Sequence, residues 1–297
     1  MLSGTFTALV TPFQNDTIDR AAYKRLIDHQ FTAGVAGVVP VGTTGESPTV
    51  GYDEHYDLIR MAVEFTAGRG LVIAGTGSNS TREAVASTIE AQRLGATHAL
   101  LVAPYYNKPS QEGLYRHFKA IAEAAAIPQI LYSIPGRCGI EIPVETVARL
   151  ASEFPHIVAI KEAGGNVERV HQLRAAIPGP LAILSGDDSL TLPFMASGAT
   201  GVISVASNLI PSEVRSLVEA MLADRLDEAR SLHYRFYPLF KGMLSLDVNP
   251  VPIKAALALA GIIPSPEVRL PLTSLDQGHL DTLRSILLEC GVKGVES

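Results

Sequence analysis

Short apolar runs rich in strand-forming residues alternate along the chain with longer segments whose apolar residues recur every three or four positions. The short runs predict buried strands, and the longer segments predict amphipathic helices. The predicted strands cover residues 6–10, 37–41, 71–74, 99–102, 129–132, 157–160, 181–184 and 201–205. The helical segments between them include AAYKRLIDHQF, YDEHYDLIRMAVEF, REAVASTIEAQRL and GLYRHFKAIAEAA, with predicted caps at Ser80 or Thr81 and at Ser110.

The eight strand signals are spaced by about one strand–helix unit, which predicts an α/β protein with a (β/α)8 TIM barrel. An open, doubly wound sheet is the alternative. The glycine fingerprint typical of dinucleotide binding is incomplete, because Ser80 stands at the third glycine position of GTGSNST. That segment therefore predicts a tight strand-to-helix turn.

From about Pro211 onward, the pattern is helix after helix. One of these helices would complete the barrel, and three would form a C-terminal helical cap. The expected organisation is a catalytic barrel over residues 1–224 and a helical region over residues 225–297.

The composition bounds the class of protein. With 47% hydrophobic and 18% charged residues, the chain can bury a large core. A net charge of -6 argues against a nucleic acid or a membrane surface as the main partner. Cys138 and Cys290 are too few for a disulfide framework and predict free thiols. With no signal peptide and no membrane-length apolar run in the sequence, we expect a cytoplasmic protein.

Polar residues follow the strand signals, where a barrel places its chemistry. The GTTGE turn at residues 42–46 exposes amides and hydroxyls suited to a small carboxylate. Lys161 ends the apolar run 157–160. A lone lysine more often extends to water, but one shielded beside Tyr132 can lose its proton and attack a ketone.

Tyr132 can exchange protons through its phenol, and Thr43 and Tyr106 can complete a relay. Packing against Tyr105 is the alternative role for Tyr106. Arg137 offers a bidentate contact for a carboxylate, or it is a surface arginine.

Asp188 is expected to cap the helix that follows it. The sequence contains no closely spaced metal-binding cluster, phosphate-binding loop or serine nucleophile motif. The residues therefore predict imine chemistry, with no metal and no cofactor.

At these positions the sequence resembles the dihydrodipicolinate synthase family of pyruvate-dependent class I aldolases. The resemblance covers nearly the whole chain and rests on long, ordered motifs. These are FTALVTPF, VGTTGESPT, AGTGSN, APYYNKPSQEGLYRHFKAIAE, QILYSIPGR, IVAIKEAGGN, ILSGDDSL, GVISVASN and NPVPIKAAL. It implies a lyase that joins pyruvate to L-aspartate 4-semialdehyde in the diaminopimelate route to lysine, assembled as a homotetramer of tight dimers.

The resemblance also implies roles for individual residues. Lys161 matches the Schiff-base lysine, and Arg137 matches the residue that receives the aldehyde's carboxylate. Tyr106 matches a relay residue that reaches into the neighbouring subunit's site. The other matches are the relay residues Tyr132 and Thr43 and the pyruvate-site residues Thr44, Gly186 and Ile203.

Two positions depart from the family motif: Ser133 and Cys138 replace the usual asparagine and threonine, which predicts tuning rather than loss of activity. Lysine-inhibited members bind lysine at the tight-dimer interface. The matching positions are Ser47, Pro48, Tyr52, His55, Asn79, Glu83 and Tyr105. Tyr52 stands where many sensitive members have histidine.

Two other functions remain open. A sibling lyase that cleaves a sugar acid, such as N-acetylneuraminate lyase, needs the same lysine and tyrosine but generally lacks the arginine matched by Arg137. A regulatory barrel that binds a keto acid without turnover would not need the Lys161, Tyr132 and Thr43 set.

Overall fold

In the computed structural model, which describes residues 1–295, eight parallel strands close into a barrel. The barrel strands, in chain order, are β1 (Gly4–Ala8), β4 (Gly37–Val39), β5 (Leu71–Gly75), β6 (His98–Val102), β7 (Gln129–Ser133), β8 (Ile157–Glu162), β9 (Ala182–Ser185) and β10 (Gly201–Ser204). A separate hairpin is formed by β2 (Phe13–Gln14) and β3 (Thr17–Ile18).

Helices surround the barrel and continue beyond it. They are α1 (Arg20–Thr32), α2 (Tyr52–Thr66), α3 (Thr81–Arg93), α4 (Gln111–Ala124), α5 (Pro135–Cys138), α6 (Val144–Glu153), α7 (Glu168–Ala176), α8 (Thr191–Ala196), α9 (Pro211–Leu222), α10 (Leu226–Ser245), α11 (Val251–Leu259) and α12 (Gln277–Glu289). The predicted caps at Ser80 and Ser110 are confirmed, because Ser80 accepts a hydrogen bond from the Glu83 amide and Ser110 from the Gly113 amide.

The predicted barrel is confirmed, and each of the eight strand signals coincides with one barrel strand. The open-sheet alternative is wrong because β1 pairs with both β10 and β4, which leaves the sheet without a free edge. The main difference lies in β8, which extends through Glu162, so that Lys161 belongs to the strand itself.

Two apolar layers form the core. Inside the barrel lie Phe6, Val39, Ile73, Ile130, Tyr132 and Ile203 with their neighbours, while a larger cluster fills the space between the strands and the helices. Successive side chains of a strand point to opposite faces. Ala159 belongs to the inner cluster and Ile160 to the outer one, so the alternation turns Lys161 inward.

The last four helices of the described chain divide as expected. Helix α9 packs against β1 and β10 and serves as the eighth barrel helix, and α10 packs against α9, α11 and α12. The boundary at residue 224 stays a prediction, and residues 296–297 of the predicted helical region lie outside the described residues. Within residues 1–295, no helix combines the length and apolarity needed to cross a membrane.

Candidate active site

Lys161 and Tyr132 face each other across neighbouring strands inside the barrel. Their Cα atoms are register partners in the β7–β8 ladder. The Lys161 Nζ atom lies 4.1 Å from the centre of the Tyr132 ring, and both side chains are buried, with exposures of 6% and 4%. The parallel register thus brings together the predicted nucleophile and the predicted proton-transfer group, which stand 29 positions apart in the sequence.

Burial sets the protonation of both groups. It lowers the pKa of Lys161 to about 7; the Arg137 charge also lowers this pKa, while the Asp188 carboxylate opposes the shift. Burial raises the pKa of Tyr132 to about 12, partly offset by the Arg137 charge and a hydrogen bond with Thr43. At neutral pH the amine is therefore partly uncharged, and the phenol keeps its proton.

The GTTGE turn after β4 supplies both threonines of the predicted site. Amides of Gly45 and Ser47 donate to the Gly42 carbonyl, which closes the turn, and Glu46 adopts a left-handed conformation with φ of 57°. Thr43 lies close enough to the Tyr132 phenol to lower its pKa. Thr44, the next residue in the sequence, is buried, with 3% exposure.

Gly186 and Ile203 complete the floor of the site. A Cβ atom at Gly186 would lie 3.0 Å from Lys161 Cε and 2.6 Å from Ala163 Cβ, so this position has no room for a side chain. Ile203 is fully buried in the same inner cluster as Tyr132. Gly186 and Ile203, two of the three predicted pyruvate-site residues, therefore both lie at the barrel interior.

Arg137 lies on the short helix α5 directly after the strand that carries Tyr132. Its Nη2 atom donates to the backbone carbonyl of Asn249 at 3.3 Å, and its side chain lines the same cavity as Thr43. This places a guanidinium at the mouth of the barrel, where a second carboxylate can bind.

Tyr106 is the predicted relay residue that the structure does not bring to Thr43 and Tyr132. It is 90% exposed and adopts a left-handed conformation with φ of 72°. Tyr105 instead lines the cavity, so the two adjacent tyrosines have different surroundings.

The predicted capping role of Asp188 is wrong. Asp187 instead caps the short 3-10 turn Asp188–Leu190 that precedes α8, accepting from the Ser189 amide at 2.8 Å. Asp188 is buried and accepts from the amides of Val205 and Ala206 at 3.0 and 2.9 Å. Burial raises the pKa of Asp188 to about 6. Because the two aspartates are adjacent, the sequence pattern did not distinguish the cap from the carboxylate that acts on Lys161.

The predicted lysine-binding positions gather around one cavity. This cavity of about 470 Å³ is also lined by Thr43 and Arg137. The predicted residues that line it are Ser47, Pro48, Tyr52, His55, Glu83 and Tyr105. Asn79 is adjacent, with its Nδ2 donating to the Tyr105 carbonyl at 3.2 Å.

Cys138, one of the two departures from the family motif, is buried at the wall of this cavity, and burial raises the pKa of its thiol to about 11. Ser133, the other departure, keeps a hydrogen-bonding role, since its hydroxyl accepts from the Ile142 amide at 3.3 Å.

Comparison with known proteins identifies the family. Residues 1–290 match the model of the dihydrodipicolinate synthetase family. The chain belongs to this family. A relative from Persephonella marina, a 4-hydroxy-tetrahydrodipicolinate synthase, is 50% identical over 98% of this chain and 99% of its own length.

Two solved members of the family show the same fold. The 4-hydroxy-tetrahydrodipicolinate synthase of Methylacidiphilum fumariolicum SolV is 52% identical, with a TM-score of 0.96 over 98% of this chain and 96% of that one. The enzyme of Cyanidioschyzon merolae, solved with lysine bound, is 41% identical, with a TM-score of 0.94 over 98% of each chain.

Asn249 is a site residue that sequence reasoning did not single out. It lies in the NPVPIKAAL motif, more than 100 positions after Arg137 and more than 200 after Thr44, yet it contacts both. The motif itself was the available signal, but no local periodicity indicates which distant loop an asparagine will reach.

Proposed function

We propose that this chain joins pyruvate to L-aspartate 4-semialdehyde, as a class I aldolase-type lyase of the diaminopimelate route to lysine. The observation that carries the proposal is the buried pair of Lys161 and Tyr132, with Thr43 close enough to the phenol to lower its pKa. The relatives described above, which carry the synthase name, favour this reaction over sugar-acid cleavage.

The first steps follow from the protonation of the site. The uncharged amine of Lys161 adds to the keto carbon of pyruvate, and the resulting carbinolamine loses water to give an imine. Tyr132 supplies and recovers protons in these steps, and Thr43 connects the phenol to the mouth of the barrel. Loss of a methyl proton then gives an enamine whose carbon adds to the aldehyde.

The second substrate requires its own contact. Arg137 lines the cavity at the barrel mouth and presents a planar donor suited to a carboxylate. We assign it to the carboxylate of aspartate semialdehyde, and Thr44, Gly186 and Ile203 to pyruvate.

Borohydride reduction in the presence of pyruvate, followed by mass spectrometry, tests the imine. A reduced pyruvyl group on Lys161 is expected, and modification of another lysine would contradict the mechanism.

A coupled assay then tests whether the protein uses aspartate semialdehyde as the second substrate. Arg137→Ala should impair use of aspartate semialdehyde more than pyruvate trapping; an equal loss in both would assign Arg137 to pyruvate or to structure.

We propose a homotetramer of tight dimers in which Tyr106 completes the neighbouring subunit's relay. Its 90% exposed side chain in the single chain supports this assignment. Co-expression of Tyr106→Phe and Lys161→Met chains should restore activity, because mixed dimers contain one complete site. Activity no higher than that of the separate variants would contradict a shared site. The cytoplasmic location stays a prediction.

We also propose feedback inhibition by L-lysine at the cavity that contains Glu83. This carboxylate and the hydroxyl and carbonyl groups around it suit an ammonium group. Glu83→Gln should weaken inhibition, whereas Glu90→Gln, on the same helix but paired with Arg93, should not. Unchanged rates with millimolar lysine would refute inhibition; equal inhibition in both variants would refute the site.

A further inference from the structure

Asn249 connects the C-terminal helical region to two substrate-binding residues. It lies between α10 and α11 and is 9% exposed. Its side-chain Nδ2 donates to Thr44 Oγ1 at 3.0 Å, and its backbone carbonyl accepts from Arg137 Nη2 at 3.3 Å. A single residue therefore touches the proposed contacts of both substrates, through different atoms.

The hydrogen bond to Thr44 restricts what its hydroxyl can do. A threonine hydroxyl has one proton to donate and two lone pairs to accept with. Because Asn249 Nδ2 occupies a lone pair, the Thr44 proton stays available for another acceptor. An ionised carboxylate only accepts hydrogen bonds, so it is the complementary ligand for a hydroxyl held in this way.

The oxygen atom of the Asn249 side-chain amide indicates that this residue does more than stabilise the fold. Its Oδ1 atom is buried and forms no hydrogen bond within residues 1–295. A buried acceptor without a partner opposes folding. The donor end is thus the part of this side chain that makes a favourable contact, and that contact is with Thr44.

We propose that Asn249 is a positioning residue that directs the Thr44 hydroxyl toward the pyruvate carboxylate. This inference rests on the proposed function, in which pyruvate is bound at Lys161 beside Thr44. Its contact with Arg137 uses the main chain, so replacing the side chain affects the two substrates unequally.

A double-mutant cycle tests the inference. The readout is the pyruvate concentration that gives half-maximal borohydride trapping, which needs no second substrate. Loss of one neutral hydrogen bond corresponds to about a 3- to 10-fold change in binding, so Asn249→Ala should raise this concentration by that factor. In a Thr44→Val background the same substitution should change it by less than about twofold, because its target is already absent.

Two controls keep the test specific. The KM for aspartate semialdehyde should stay within about twofold in Asn249→Ala, because the carbonyl that meets Arg137 remains. Asn249→Asp preserves shape but replaces the donor with an acceptor, which draws the Thr44 proton away and should weaken pyruvate trapping further. Thermal unfolding of each variant establishes that the folded protein is compared.

The outcomes separate the two proposals. Equal factors for Asn249→Ala in both backgrounds, or wild-type pyruvate trapping by Asn249→Asp, would overturn the positioning role and leave the proposed reaction intact. Failure of the wild-type protein to trap pyruvate would overturn both.

Discussion

Lys161 and Lys254 are both buried, both lie over an aromatic ring, and only one is placed to react. Lys161 Nζ lies 4.1 Å from the Tyr132 ring centre, and Lys254 Nζ lies 4.4 Å from that of Phe13. Lys254 forms an ion pair of 2.7 Å with Glu46, whereas in the described chain Lys161 forms none. Burial lowers the pKa of each amine.

The difference between them is the position of the nearest carboxylate. Glu46 touches Lys254 and favours its charged form, and the Thr11 carbonyl accepts a second hydrogen bond from it at 2.8 Å. Asp188 raises the pKa of Lys161 through space and forms no ion pair with it within residues 1–295; its Oδ2 atom accepts from two backbone amides, and its Oδ1 atom is buried without a partner there. A buried lysine without a carboxylate in contact can therefore act as a nucleophile. A buried lysine that contacts a carboxylate instead links two parts of the structure.

The same substitution at both lysines gives the largest contrast. Lys161→Met should abolish pyruvate trapping and turnover, since no amine remains to form the imine, while leaving the free energy of unfolding unchanged or higher. Trapping and denaturant unfolding measure the two properties. Pyruvate trapping at the wild-type level in this variant would show that another lysine is the nucleophile.

Removing the proton path should have the next largest effect. Tyr132→Phe and Thr43→Val should each lower turnover by roughly 100- to 10,000-fold, the usual contribution of a positioned proton-transfer group. Stopped assays at saturating pyruvate measure this loss, with circular dichroism as the folding control. Near-normal turnover in both variants would remove them from the relay.

Lys254→Met should act on stability. It leaves Glu46 buried and unpaired, which should lower the free energy of unfolding by about 3–5 kcal/mol. Pyruvate trapping on Lys161 should persist at temperatures where the variant is folded. Adding Glu46→Gln should recover part of the lost stability; no recovery would show that the pair is not the source of the effect.

The smallest expected effect is on the pH dependence of the rate of imine formation. With a pKa of about 7, Lys161 loses its proton as pH rises through neutrality, so the rate of pyruvate imine formation should rise over that range. Asp188→Asn removes a charge that raises this pKa, and the rising limb should move to lower pH. If the pH range over which the rate rises is unchanged in this variant, or lies at higher pH, the proposed role of Asp188 is contradicted.

The strands and the burial of the proposed nucleophile could be predicted because their signals are local. Apolar runs mark strands within a few residues, and Lys161 was visible as a cation that ends such a run. The ties between distant loops could not be predicted. Glu46 and Lys254 are 208 positions apart, and Thr44 and Asn249 are 205 apart, so only the folded barrel shows which residues meet.

Other predictions depended on a single position or on a second chain. Asp187 caps and Asp188 turns inward, although the two residues have the same chemistry. Tyr106 is 90% exposed in the single chain, and its proposed role in the relay requires a second chain. Local propensity does not contain this information.

The GTTGE turn has a consequence for the order in which a newly synthesised chain becomes an enzyme. All eight barrel strands have left the ribosome once residue 204 is free, but Glu46 still awaits the Lys254 ammonium and the Arg269 amide. Until then, the turn that carries Thr43 and Thr44 lacks these two contacts. The mouth of the barrel is therefore completed by residues that are translated after the last barrel strand.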